Sequence, residues 1–382
     1  MAVASPSHQH ERSSSITKFI SRLRGRSSTD VPAQQEQPDL PVDTRPPLIP
    51  SPLPLVLPEH QEALSNLGWT TVTFPQPIPS DPASNLLAPG PHPLQCAYEL
   101  LFEASQAFFA QPAEEKRRWK HKLKSEEGWS SIPGEKEFIT LRTLEYCPEV
   151  LREPAKRYWD LMGTHLSNTL GRIATSLDVT DPNNANKGLK KFVGPCGTMQ
   201  ATDDQKTATM LRLFRYEGWE AKEVAEPHAD LGLLSVVIGN VPGLEVWDGA
   251  KWFEVEKEVE KTGLKGASLL AGRQLEKLSN GRYPAGGHRV VSYGDSNGGQ
   301  DKDKRYRFSI VFVLRAYEPA IIDPEELETA VTGKWPEPVQ GLTAGELYAK
   351  IRGAHFNINI SHEERERQRE NVRRQKEQTA RG

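Results

Sequence analysis

The segment EPHADLGLLSVVI at residues 226–238 decides both the fold and the candidate chemistry of this chain. Its second half is a short apolar run rich in β-branched residues, which predicts a buried strand. Its first half places His228 and Asp230 two positions apart. Because side chains two positions apart on extended backbone point to the same face, these two can bind one ion together.

The strand-like pattern continues on both sides of this segment, between about residues 208 and 317. Its short apolar runs are separated by Gly, Pro and Asn; they cover 210–216, 233–238, 244–247, 251–255, 267–270 and 308–314. The pair Asp248-Gly249 predicts a hairpin between two of them. Short strands without intervening helices predict an antiparallel sandwich or barrel.

Helical periodicity flanks this strand-rich region. From about 92 to 192 the pattern is mostly helical, with apolar faces at 101–109 and 158–177, and helices return after residue 323. A polar segment at 128–142 is marked by Gly and Pro. It contains Lys136 and Arg142, which we interpret as residues of an ordinary surface loop rather than as contacts to an acidic substrate.

Composition excludes several classes of protein. The 382 residues include 48 Lys+Arg and 51 Asp+Glu, a net charge of −3, whereas a nucleic-acid-binding domain is usually basic. No run approaches the roughly 18 apolar residues of a membrane span. Three widely spaced cysteines exclude a disulfide framework and a cysteine zinc site, and they fit a reducing, cytoplasmic compartment.

Both ends of the chain are biased in composition. Residues 1–50 hold 8 Ser, 7 Pro and one aromatic residue, so we expect a disordered tail over 1–45. The basic segment 16–26 leaves mitochondrial targeting or a membrane-surface helix as a lesser alternative to a solvated tail. Residues 361–382 carry 7 Lys+Arg and 5 Glu, which predicts a solvent-exposed helix to which no function is assigned.

A third ion ligand must come from another strand. The candidate is His288, which begins a predicted strand. Two histidines and one carboxylate on one face of a metal are typical of non-haem Fe(II) oxygenases. The alternative is a chance surface pair, since ten histidines are scattered over the chain.

Arg307 and Ser309 form a second same-face pair. A guanidinium and a hydroxyl pointing the same way can bind a carboxylate. The alternative is a polar strand face in solvent. However, the strand continues as the apolar run 310–314 and looks buried, and a buried arginine calls for an anionic partner.

Together these pieces resemble the Fe(II)- and 2-oxoglutarate-dependent dioxygenases of the isopenicillin-N-synthase-like superfamily. The matching segments, in order, are 211–216, 228–235, 243–252, 278–283, 288–291 and Arg307-x-Ser309. Two features depart from the family pattern. Arg273 stands where an aspartate is usual, and nineteen positions separate His288 from Arg307, an excess that we place in a polar loop outside the barrel.

The resemblance implies a mixed β/α fold with a double-stranded β-helix (jelly roll) core at 205–320. It implies a helical N-terminal region at 46–204, and C-terminal helices with a charged tail at 321–382. It also implies that Fe(II) is bound by His228, Asp230 and His288. It implies that 2-oxoglutarate is bound by Arg307, Ser309 and Tyr216, with no catalytic residue beyond the metal ligands.

The activity implied is O2-dependent oxidation, by hydroxylation or desaturation, of a small organic molecule, with release of succinate and CO2. One alternative is a related Fe(II) oxidase that uses O2 without 2-oxoglutarate and binds its substrate's own carboxylate at the Arg-Ser pair. Another is a non-catalytic binding protein that kept the fold. In each case we expect a monomer that binds neither nucleic acid nor membrane.

Overall fold

Two antiparallel sheets form the centre of the protein. The computed structural model describes residues 43–379 except 54, 74, 78–86, 90–92, 123–125, 181–187, 219, 295–305, 336–338, 340, 354, 356–358, 360 and 361. The strands are β1 Trp69–Thr73, β2 Pro75–Pro77, β3 Leu87–Pro89, β4 Gly128–Ile132, β5 Lys136–Leu141, β6 Met210–Glu217, β7 Ala221–His228, β8 Leu234–Gly239, β9 Leu244–Trp247, β10 Trp252–Phe253, β11 Gly266–Ala271, β12 His288–Tyr293 and β13 Tyr306–Leu314.

The major sheet has the order β1-β11-β8-β13-β6-β5-β4, and the minor sheet has the order β10-β9-β12-β7. One apolar cluster joins both sheets and includes Phe214 and Tyr216 from β6 together with Val246 and Val290 from the minor sheet. This sandwich, with helices outside it, confirms the predicted jelly-roll core. The predicted hairpin is also confirmed, because Trp247 pairs with Trp252.

Helices lie around the sandwich. They are α1 Ala63–Leu67, α2 Pro93–Ala110, α3 Ala113–Arg117, α4 Glu149–Ser176, α5 Val255–Lys261, α6 Arg273–Leu278, α7 Pro324–Leu327, α8 Ala344–Gly353 and α9 His362–Thr379, with short 3-10 turns at Pro58–His60, Gly188–Phe192, Gly194–Gly197 and Asp203–Gln205. Of these, α2 and α4 pack against the major sheet at β13. Buried residues of α4 recur at helical spacing, and Trp159 packs edge-on against Phe312 of β13, with ring centroids 5.2 Å apart. None of the described helices has the length and apolar character needed to cross a bilayer.

Successive side chains of β6 point alternately toward the helices and into the space between the two sheets. Leu211 and Leu213 pack in the helix-facing cluster, whereas Phe214 and Tyr216 pack between the sheets. Arg212 belongs to the second set, because it is two positions from Phe214. The interior of the sandwich is therefore lined partly by charged residues.

The helical interpretation of the N-terminal region was incomplete. Strands β1, β4 and β5 lie within it and belong to the major sheet. The polar segment 128–142 is a β-hairpin that turns at Gly134, and all six residues of β5 are buried. A strand buried on both faces shows no simple polar alternation, so its pattern was not recognised. The domain boundaries at 45, 204 and 320 stay a prediction, and the proposed tail lies almost wholly outside the described residues.

Candidate functional site

Strand pairing brings the three predicted metal ligands together. β12 pairs with β7, with His288 opposite His228, and the two imidazole centroids lie 4.1 Å apart. Asp230 follows β7 directly, and its Oδ2 lies 4.0 Å from His288 Nε2. One potential ligand atom from each of the three residues lies within 4.8 Å of the others.

Backbone carbonyls fix the orientation of both imidazoles. His228 Nδ1 donates to the Glu226 carbonyl at 2.7 Å, and His288 Nδ1 donates to the Gly286 carbonyl at 3.1 Å. A histidine that uses Nδ1–H in this way presents an unprotonated Nε2 to a metal. In each case the acceptor carbonyl belongs to the residue two positions earlier, so the local backbone fixes the orientation of the imidazole ring.

The electrostatics of this group also suit a cation. Burial, reinforced by the neighbouring His288, holds the pKa of His228 well below its ordinary value. Burial raises the pKa of Asp230, but the two histidines outweigh it and the net shift is downward. Its Oδ2 is buried without a hydrogen-bond partner among the described residues. Neutral imidazoles beside an orphaned carboxylate oxygen fit an Fe(II) ion.

The second predicted cluster lies on β13, between β6 and β8. Arg307 pairs with Tyr216 across to β6, and Ser309 pairs with Gly239 across to β8. Arg307 and Ser309 are 4 % and 1 % exposed, so the alternative of a solvated strand face is wrong. Within the described part of the chain, Arg307 Nη1 and Ser309 Oγ are both buried without a hydrogen-bond partner.

Arg307 already has one anionic partner, which the sequence did not reveal. Its Nη2 contacts both carboxylate oxygens of Glu256 at 3.0 and 2.9 Å, and its Nε donates to the Val241 carbonyl at 3.1 Å. A Cβ at Gly239 or Gly243 would come within 2.6 or 2.5 Å of the guanidinium, so both glycines make room for it. Glu256 therefore occupies Nη2, one of the two guanidinium donors expected to bind 2-oxoglutarate.

Tyr216 borders the same cluster. Its ring centroid lies 5.6 Å from the Arg307 guanidinium carbon. Burial raises the pKa of Tyr216, although Arg307 opposes this effect, so its hydroxyl keeps its proton at neutral pH. A protonated hydroxyl can donate to a carboxylate.

Lys136 and Arg142 do not lie in a surface loop. Lys136 is 1 % exposed, and its Nζ lies 3.4 Å from the Val224 carbonyl. Burial lowers the pKa of Lys136 to about 7. Arg142 is half-buried and donates through Nε to the Thr207 carbonyl at 3.2 Å. The hairpin β4–β5 thus brings one cation into the protein interior.

The predicted C-terminal helix is present as α9 and most of its described residues are exposed, but one side of it reaches the site instead of solvent. Arg365 is 2 % exposed and forms ion pairs with Glu135 at 2.5 Å and Glu226 at 3.2 Å. Arg369 pairs with Glu226 as well. Glu226 is the residue whose carbonyl orients His228, so α9 is joined directly to the strand that carries the candidate metal ligand.

The sequence matches no protein-family model and no curated protein. Solved structures do match. A full-length Neurospora crassa protein in complex with alpha-KG and 5-formyluracil is 17 % identical, with 77 % of this chain and 88 % of that chain covered and a TM-score of 0.55. The rice dioxygenase for auxin oxidation is 21 % identical, with coverage of 77 % and 87 % and a TM-score of 0.51.

The dioxygenase for auxin oxidation 1 from Arabidopsis thaliana, solved with 2-oxoglutarate, is 17 % identical, with coverage of 72 % and 94 % and a TM-score of 0.50. The chain has the fold of 2-oxoglutarate-dependent oxygenases. The fold places the ends of β7 and β12 side by side in this chain, and the three candidate ligands stand at those ends.

Proposed function

We propose that the protein is a non-haem Fe(II)- and 2-oxoglutarate-dependent dioxygenase that oxidises a small organic molecule. The observation that carries the proposal is the convergence of His228, Asp230 and His288 in a jelly roll, with unpartnered donors of Arg307 and Ser309 on the same sandwich. Two structures of this fold contain alpha-KG or 2-oxoglutarate, which supports the assignment of the co-substrate.

Each residue has a defined task in this proposal. His228, Asp230 and His288 would hold the metal. Bound Fe(II) supplies the activation of O2 and the oxidising power. Arg307 Nη1 and Ser309 Oγ donate to the distal carboxylate of 2-oxoglutarate, and Tyr216 donates beside them. The apolar cluster between the sheets limits the access of water.

A specific observation favours a second candidate, an Fe(II) oxidase that needs no 2-oxoglutarate. Glu256 already neutralises Arg307, which reduces the electrostatic need for a dianionic co-substrate at that point. In this candidate the remaining donors bind a carboxylate of the substrate itself. The two candidates differ in one product, because only the first forms succinate.

The test is a screen for compounds that stimulate conversion of 2-oxoglutarate to succinate by the Fe(II)-loaded protein under air. The proposal expects stimulation by at least one compound, together with its loss in His228→Ala. The matched control is His165→Ala, which changes a half-buried histidine of helix α4. Oxidation of a compound without any succinate would support the second candidate, and equal succinate formation by His228→Ala would refute the metal site.

A further inference from the structure

Arg212 lies in the interior of the sandwich at the centre of β6. It pairs with Thr140 on β5 and with Val311 on β13. Its Nε donates to Thr140 Oγ1 at 2.7 Å. Its guanidinium carbon lies 5.4 Å from the ring centroid of Phe138 and 6.0 Å from that of Phe214. The hydrogen bond and the two rings hold the guanidinium in one orientation.

The two Nη groups of Arg212 form no hydrogen bond or ion pair with the described residues. Among the described residues, neither a carboxylate nor a hydrogen-bond acceptor contacts them. The other interior arginines differ in this respect, because Arg307 pairs with Glu256 and Arg315 pairs with Glu126 at 2.7 Å. Burial lowers the pKa of Arg212, and the nearby carboxylates of Glu126 and Asp230 oppose this effect. Neither carboxylate bonds the guanidinium in the described part of the chain, so the two Nη groups remain available to an anion from outside the chain.

Packing connects Arg212 to the strands of the candidate metal site. The two rings that flank its guanidinium belong to the same apolar cluster as Ala225 of β7 and Val290 of β12, the strands that carry the two histidine ligands. The guanidinium and the metal ligands therefore belong to the same interior of the sandwich.

Resting on the proposed function, we propose that the substrate is a carboxylic acid whose carboxylate binds the two Nη groups of Arg212 beside the metal site. This subsite is separate from the Arg307 and Ser309 cluster. A planar guanidinium offers two parallel donors that match a carboxylate, and the Thr140 bond fixes the fork before binding. The flanking rings of Phe138 and Phe214 suit an apolar body attached to the acid.

The experiment compares acids with their uncharged amides on full-length protein loaded with Mn(II) and saturating 2-oxoglutarate. The probes are benzoate against benzamide, and indole-3-acetate against indole-3-acetamide. Paramagnetic relaxation of the probe protons measures binding near the metal. Saturating 2-oxoglutarate keeps the probes away from Arg307.

We expect at least one acid to bind ten or more times tighter than its amide. Arg212→Met should weaken binding of that acid about 10- to 150-fold, the loss of a hydrogen bond to a charged group, while the amide changes little. Arg212→Lys keeps the charge but not the two parallel donors, so its affinity for the acid should lie between those of the wild type and Arg212→Met. Arg118→Met, which removes a surface charge whose side chain is 72 % exposed, should leave the preference unchanged.

No preference for either acid in the wild type would overturn the inference, and so would a preference that survives in Arg212→Met. Circular dichroism and Mn(II) binding of each variant separate a lost subsite from a lost fold. Failure of the wild type to bind Mn(II) and 2-oxoglutarate would refute the proposed function instead. Normal binding of both without an acid preference would refute only the carboxylate subsite.

Discussion

Replacement of Ser309 by alanine should change stability and co-substrate affinity in opposite directions. Ser309 is 1 % exposed, and its Oγ has no hydrogen-bond partner among the described residues. Burial raises the pKa of Tyr216 and the nearby Ser309 hydroxyl opposes this effect, but the two hydroxyls do not meet hydrogen-bond geometry. Alanine therefore removes a buried polar atom without a direct partner, whose burial costs about 1–3 kcal/mol. The free energy of unfolding of the metal-free protein should stay constant or rise by up to this amount.

The same substitution removes a donor to the distal carboxylate of 2-oxoglutarate. A hydrogen bond to a charged group contributes about 1.5–3 kcal/mol, so the dissociation constant should rise about 10- to 150-fold. Arg307 Nη1 remains in place, and binding should therefore be weakened rather than abolished. Iron content should not change, because Ser309 belongs to a different cluster from the metal ligands.

Anaerobic calorimetric titration of 2-oxoglutarate measures the affinity, and urea unfolding measures the stability. Ser268→Ala is the control, because Ser268 is another buried serine, on β11, outside the cluster. Unchanged affinity in Ser309→Ala would refute the role of this hydroxyl. A loss of several kcal/mol in stability would show instead that Ser309 has a structural partner.

Three further predictions concern other parts of the chain. Arg365→Met should lower the free energy of unfolding by about 1–3 kcal/mol in urea titrations, because it leaves Glu135 without its ion-pair partner and Glu226 with Arg369 alone. Arg367→Met, whose side chain is 69 % exposed, should cost less than about 0.5 kcal/mol. The pKa of Lys136 is about 7 in the folded protein against an ordinary 10.5, so the unfolded chain binds more protons between these values. Wild-type stability should therefore rise relative to Lys136→Met as the pH increases from 7 to 10.5, and a flat difference would contradict the burial of a lysine charge. A chain that starts at Asp43, which keeps the hydrogen bonds of Arg45 to the Asn280 and Thr332 carbonyls, should bind iron and unfold as the full chain does. Aggregation of that truncation would contradict the predicted dispensable tail.

The metal and clamp residues could be predicted because they are encoded by spacing along strands. His228 with Asp230, and Arg307 with Ser309, are each two positions apart, and the strand period places each pair on one face. The prediction that His228 and His288 lie close together depended on the resemblance to a known fold, because no local sequence pattern indicates that β7 pairs with β12.

The residues that were missed depend on contacts between distant segments. Glu256 reaches Arg307 from a short helix that carries several charges, and no sequence pattern distinguishes it from Glu258 or Glu260. Arg365 likewise belongs to a run of similar charges, and its side chain is buried by ion pairs with residues 139 and 230 positions away. The strand that contains Lys136 is not predictable from polar alternation, because all of its residues are buried.

The central claim is that His228, Asp230 and His288 form one Fe(II) site. Anaerobic titration of the purified protein with Fe(II) tests it most directly, with Asp230→Ala compared against Asp204→Ala, which changes an exposed aspartate elsewhere. We predict one Fe(II) per chain in the wild type and in Asp204→Ala, and a loss of binding of at least tenfold in Asp230→Ala with unchanged circular dichroism. Equal Fe(II) affinity in wild type and Asp230→Ala would contradict the account.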